Sequence, residues 1–198
     1  FCVVPTAWGR KPYHKPVADI VADIRQHGAK KLIFVDLNII ADRAHAKELG
    51  NDVPAEPLLF LKPPSALLGP DGVVELPPES DRVEQEGELA VVIGQRIRRA
   101  SLGEARAAIF GATCANDVTA RDLQRKDVQF TRGKGFDTFC PVGPWIDTEV
   151  ELGAARVVTR VNGVVRQDGR TSDMVWPVAE LVQRRELWRR PRRPHGLR

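Results

Sequence analysis

Three glutamates alternate at Glu84, Glu86 and Glu88, directly before the apolar run Leu89–Ile93. Residues two apart in a strand share a face, so this spacing sets carboxylates side by side against a dry core. Such neighbours are costly unless a cation compensates them. A hard divalent ion, Mg2+ or Mn2+, suits the position because it prefers oxygen ligands. On pattern alone a solvated acidic strand end is favoured, since charge runs usually face water. Asp117 follows the small, apolar Gly111–Ala115. It could stand at a buried strand end as a third carboxylate, or it could cap a helix, as Asp often does. Arg121 could grip a carboxylate through two parallel bonds, although surface ion pairs are its commoner use. Lys134 lies between Gly133 and Gly135, where the backbone can approach a ligand closely. It could neutralise an enolate or carboxylate, or sit solvated on a glycine turn. His45 and Glu48, three apart, would meet on a helix face. The carboxylate would orient an imidazole that activates water; a surface pair is the ordinary alternative. A Walker loop, a GxGxxG string and a serine-nucleophile elbow are absent.

The elements that must position these groups are partly readable. Pro16, the spacing Val17, Ile20, Val21, Ile24 and the stop at Gly28 predict a helix. Lys31–Asp36 reads as a strand that needs a partner sheet. Prolines then punctuate residues 54–78, implying extended segments and turns. Leu58–Leu61 reads as a short strand. Gly69-Pro-Asp-Gly72 reads as a turn in which Gly tolerates positive φ, with a hairpin continuing through Val73–Leu76. Leu89–Ile93 predicts a fully buried strand. Ser101 and Glu104 predict a capping box opening a helix over Leu102–Phe110. Asn162-Gly163 between Val157–Val161 and Val164–Gln167 predicts a type I′ hairpin.

Composition bounds the class. The 198 residues are 42% hydrophobic and 28% charged, enough for a globular core. The longest apolar run falls far short of the ~18 residues of a membrane span. Three cysteines with no CxxC pair exclude a disulfide scaffold and fit a reducing, cytoplasmic setting. The net charge of +4 belongs to the end of the chain. Residues 184–198 hold seven Arg and one Glu, and residues 1–183 carry 23 basic and 25 acidic residues. No nucleic-acid groove is therefore expected on the body. Residues 184–198 read as an Arg-rich disordered tail.

Taken together and in order, six strings resemble the fumarylacetoacetate hydrolase family over about residues 45–182. They are HAKELG (45–50), PAEPLLFLKPPSALLGP (54–70), EGELAVVIG (86–94), ANDVTARDLQ (115–124), RGKGFDTFCPVGPW (132–145) and NGVVRQDGRTSDMVWPVAELV (162–182). The resemblance implies an α+β, mostly β fold with a mixed sheet or β-roll, incomplete at the C-terminus. It implies metal ligands at Glu86, Glu88 and Asp117, and leaves Glu84 as a neighbour, a choice that alternation cannot make. It places a catalytic His–Glu pair at His45 and Glu48, an active-site lysine at Lys134, and substrate contacts at Arg121 and Gln124. The implied activity is Mg2+- or Mn2+-dependent hydrolysis of a C–C bond in β-diketo or 2-oxo acids, of acylpyruvate or fumarylacetoacetate type, through a metal-stabilised enolate. Decarboxylation, isomerisation or hydration by the same site is the alternative. The implied partner is a small 2-oxo acid, with no nucleic acid and no membrane, and the implied assembly is a homodimer.

The chain departs from the family pattern at both ends. Residues 1–43 resemble a radical SAM fragment around FCVVPTAWGRKP and read as foreign to the catalytic domain, 44–183. The family pattern also stops after Val182, so an inactive truncated or chimeric fragment is a third reading.

Overall fold

A computed structural model describes residues 2–3, 31–35, 57, 59–127 and 129–188, with side chains from residue 57 to residue 184. The helix expected from Pro16 to the stop at Gly28 and the pair His45 and Glu48 lie outside the described residues.

Ten strands dominate the described residues. They are β1 (Cys2–Val3), β2 (Lys31–Val35), β3 (Leu67–Leu68), β4 (Val83–Glu84), β5 (Gly87–Ile93), β6 (Ile109–Asn116), β7 (Thr119–Ala120), β8 (Cys140–Asp147), β9 (Arg156–Val161) and β10 (Val164–Arg170). Among the described residues four α-helices accompany them: α1 (Leu102–Ala107), α2 (Arg121–Lys126), α3 (Thr131–Lys134) and α4 (Val178–Trp188). The main sheet runs in the order β2-β5-β6-β8-β3. It is mixed, because β3 runs parallel to β8 while the other pairs are antiparallel. A second sheet has the order β1-β9-β10, and β4 pairs with β7. The class is α+β and mostly β, as expected. Among the described residues no helix is long and apolar enough to cross a membrane.

β5 is the axis of the molecule. Every one of its residues is buried, as its unbroken apolar run predicts. Strand alternation sends Leu89, Val91 and Ile93 to one face. There they pack with Ala105 of α1 and its C-cap Ala108, and with Val178 and Val182 of α4. The same alternation sends Glu86 and Glu88 to the opposite face. A second core of Val118, Ala120, Leu123 and Phe139 lies around β7 and α2. The strand over Lys31–Val35 finds the partner it needs, pairing with Leu89–Ile93 of β5.

Local signals hold where the side chain itself makes the structure. Ser101 and Glu104 form the expected capping box, although α1 ends at Ala107 rather than Phe110. Asn162 and Gly163 have φ of 51° and 80°, the two positive values a type I′ turn requires. Other expectations need correction. The turn at residues 69–72 closes with Gly72 N–H on the Gly69 carbonyl, but the positive φ of 61° falls on Asp71, not on glycine. No strand follows it: Val73 and Leu76 are 78% and 70% exposed and pair with nothing regular. Residues 59–61 are likewise not a strand, and Leu58 lies outside the described residues. In both places proline-rich flanks withhold the donors a ladder needs. α4 carries helix to Trp188, past the expected start of a disordered tail at residue 184, with an Arg184–Glu180 pair one turn apart supporting it.

Candidate metal centre

Glu86, Glu88 and Asp117 converge. Each offers a carboxylate oxygen, and these oxygens lie within 4.8 Å of one another. The three residues are 3%, 1% and 1% exposed. The solvated acidic strand end is therefore not what forms at Glu86 and Glu88; it describes Glu84 alone, whose side chain is 38% exposed. The backbone explains the convergence. Asp117 follows the last residue of β6, and β5 pairs with β6 through Gly87–Asn116 and Glu88–Ala115. Asp117 N–H donates to the Glu86 carbonyl at 2.8 Å, and Glu86 N–H donates to Asn116 Oδ1 at 3.0 Å. Asp117 caps no helix: α2 begins at Arg121, with Ala120 at its N-cap.

Three cations surround the carboxylates. Lys134 Nζ donates to Glu86 Oε2 at 2.9 Å and to Thr119 Oγ1 at 2.8 Å, and it is in direct contact with Asp117 Oδ2. The Phe60 ring lies beneath it, 4.8 Å from ammonium to centroid. Lys134 is 2% exposed, so the solvated glycine turn is not what forms. Thr131–Lys134 instead makes one helical turn against α2. Gly133 permits this, because a Cβ there would stand 2.9 Å from the Gln124 nitrogen. Burial is the largest influence on Lys134 and favours its neutral form, but the charges of Asp117 and Glu86 and their hydrogen bonds together raise its pKa. The ammonium form is therefore the one in place.

Arg121 Nε donates to Glu84 Oε2 at 2.9 Å, its Nη1 donates to Gln124 Oε1 at 2.9 Å, and Nη1 also contacts Glu86 Oε1. Burial works to lower its pKa, while Glu84 and Glu86 outweigh burial and raise it. Lys62 is the third cation and the one the sequence reading missed. Its Nζ contacts Asp117 Oδ1 and donates to the Val118 carbonyl at 3.3 Å. The usable signal was a lysine closing an apolar run, Leu58–Leu61, just before two prolines.

This donor set fits a hard divalent cation. It is all oxygen, anionic, buried and compact. Two oxygens on one Mg2+ at ~2.1 Å stand at most ~4.2 Å apart, so the observed spacing closes with small side-chain rotations. Lys62 and Lys134 meet Asp117, and Lys134 and Arg121 meet Glu86.

The fumarylacetoacetate (FAA) hydrolase C-terminal family profile matches residues 34–186. The chain belongs to the fumarylacetoacetate hydrolase family. An uncharacterized protein of Archaeoglobus fulgidus is 49% identical over 152 residues, covering 77% of this chain and 60% of that protein. Oxaloacetate tautomerase YisK of Bacillus subtilis is 36% identical over 189 residues, covering 89% of this chain and 62% of that protein. The crystal structure of 5-carboxymethyl-2-hydroxymuconate delta-isomerase from Mycobacterium smegmatis superposes with a TM-score of 0.69 at 42% identity, over 78% of this chain and 60% of that one. The fold is therefore that of the family, and the chain spans about 60% of the length of these relatives. The family match begins at Phe34, inside the segment 1–43. The comparisons bring no support for a radical SAM fragment there.

Proposed function

We propose that the chain forms a Mg2+- or Mn2+-dependent site acting on small 2-oxo or β-diketo acids. The observation that supports this most is the convergence of three buried carboxylates with a buried ammonium among them. Glu86, Glu88 and Asp117 hold the ion. When bound, it supplies Lewis acidity toward a 2-oxo-carboxylate. Lys134 places fixed positive charge where the substrate's oxyanion develops. Arg121 and Gln124 hold the substrate, the guanidinium gripping a carboxylate once it leaves Glu86. His45, oriented by Glu48, handles the proton of a water or of the substrate carbon.

Two outcomes share this chemistry. In the first, water attacks the distal carbonyl and a C–C bond breaks. In the second, a proton moves between carbon and oxygen without cleavage. The names of the tautomerase and the isomerase among the relatives favour the second. Initial rates on acylpyruvates and on oxaloacetate, with and without Mg2+ or Mn2+, separate the two. Metal-dependent loss of the enol absorbance of oxaloacetate without release of pyruvate and CO2 marks tautomerisation, and release of pyruvate from an acylpyruvate marks cleavage. His45→Ala is expected to slow either by ~10²–10⁴-fold. A chain that binds the ion yet turns over no 2-oxo acid overturns the reading.

A further inference from the structure

Between the two glutamates of the centre stands Gly87, and its peptide groups are held from far along the chain. Gly87 N–H donates to Gln167 Oε1 at 2.8 Å, and Gln167 Nε2 donates to the Gly87 carbonyl at 2.6 Å. The Gln167 carboxamide thus pairs with the backbone in both directions, as a neighbouring strand would. Among the described residues, β2 pairs with β5 from Leu89 to Ile93. Thr159 adds a third bond, its hydroxyl lying 3.3 Å from Gln167 Oε1. β10 is built to deliver this side chain. Its register against β9 slips between Val165 and Gln167, and a bulge of that kind re-aims the side chain that follows it.

A Cβ at residue 87 would stand 2.0 Å from Thr159 Oγ1, so any other residue would have to displace that hydroxyl. Glycine is also the most conformationally permissive residue. Left alone, it would be a soft joint between the two carboxylates that must share one ion. Gln167 removes that freedom. The peptide of Glu86 is held separately, by Asn116 and by Asp117.

We propose that Gln167 is a positioning residue of the metal centre. It fixes the backbone between Glu86 and Glu88, and so sets cation affinity without touching the ion. The inference rests on Glu86, Glu88 and Asp117 being the metal ligands. Groups that orient ligands from behind typically change metal affinity by ~10–100-fold when removed.

The test is Mn2+ binding by the full chain, read from the electron paramagnetic resonance signal of free Mn2+. The variants are Gln167→Met, Glu88→Gln and Val182→Ala. Val182 of α4 is fully buried in the core with Leu89, Val91 and Ile93, on the face of β5 opposite Glu86 and Glu88, so its truncation destabilises the fold without touching the centre. Gln167→Met is expected to weaken Mn2+ binding ~10–100-fold, while Val182→Ala keeps wild-type affinity at a comparable drop in melting temperature. If Gln167→Met does not fold, Thr159→Val, which removes the weakest of the three bonds, is expected to weaken Mn2+ by several-fold. Wild-type Mn2+ affinity in the folded Gln167 variant, or in Thr159→Val where that variant stands in, overturns the proposal, as does an equal loss in Val182→Ala. If wild type binds no Mn2+, or Glu88→Gln binds like wild type, the ligand assignment itself fails and takes the proposal with it. That result is distinct from intact binding that ignores Gln167.

Discussion

Two ionic clusters in this molecule use the same chemistry for opposite ends. On the β9–β10 hairpin, Arg156 grips Asp168 with two donors, its Nε at 2.7 Å from one oxygen and its Nη2 in contact with the other. Those side chains are 51% and 43% exposed. At the end of β5, Lys134 meets Asp117 and Glu86 with side chains only 3%, 1% and 4% exposed. The hairpin pair has good geometry and little consequence, because water screens it and competes for both partners. The buried cluster has given up the hydration of several charges, a cost that mutual attraction barely repays. A protein that needed only stability there could use apolar residues. Burial of mutually dependent charges in one place is what the proposed metal site would require.

The largest break in this comparison is Lys134→Met. Removing one partner of a buried pair typically costs ~3–5 kcal/mol, because the other charge is left uncompensated. Urea titration of the metal-free chain should show a loss of that order, and Mg2+ should restore part of it by binding the folded state alone. An effect no larger than that of a surface pair would erase the distinction between the clusters. A smaller effect sharpens the estimate of how dry the buried region is. Burial first, and the charges of Asp117 and Glu88 after it, push the Cys140 thiol up to about 12 against the pull of Lys62. At pH 8 only ~1 in 10⁴ such thiols is the reactive thiolate. Peptide mapping after brief iodoacetamide treatment should find Cys140 unmodified in the folded chain and labelled in urea. The smallest effect belongs to the hairpin. Asp168→Ala should leave the melting midpoint where it is, and a clear drop would mean that exposed ion pairs matter more here than their solvation allows.

Legibility followed the same division between local and distant causes. The capping box at Ser101 and the turn at Asn162-Gly163 depend on side chains acting within a few residues, and they formed as read. The strand Leu89–Ile93 was readable because burial on both faces leaves an unbroken apolar run. Glu84, Glu86 and Glu88 were visible as a row, but alternation puts all three on one face. Only the break between β4 and β5 and the pairing of Glu84 with Arg82 and Arg121 separate the outer one. Gln167 carried no local sign of its bonds to Gly87, 80 residues away, and Lys62 showed only its place after an apolar run, with its partner Asp117 standing 55 residues on. At Lys134 the pattern left two readings open, a lysine facing an anion and a solvated turn, and the structure takes the first. Flanking glycines usually mean a loose turn, whereas here Gly133 lets α3 press against α2 and drive the lysine inward.

The central claim is that three acidic side chains share one divalent ion. Crystals grown with Mn2+ and measured above the manganese absorption edge test it most directly. The account predicts one anomalous peak at ~2.1–2.2 Å from an oxygen of each of Glu86, Glu88 and Asp117, with at least one of the ammonium groups of Lys62 and Lys134 withdrawn from Asp117. Saturating Mn2+ with no peak among these oxygens, and both lysines still on Asp117, would contradict it.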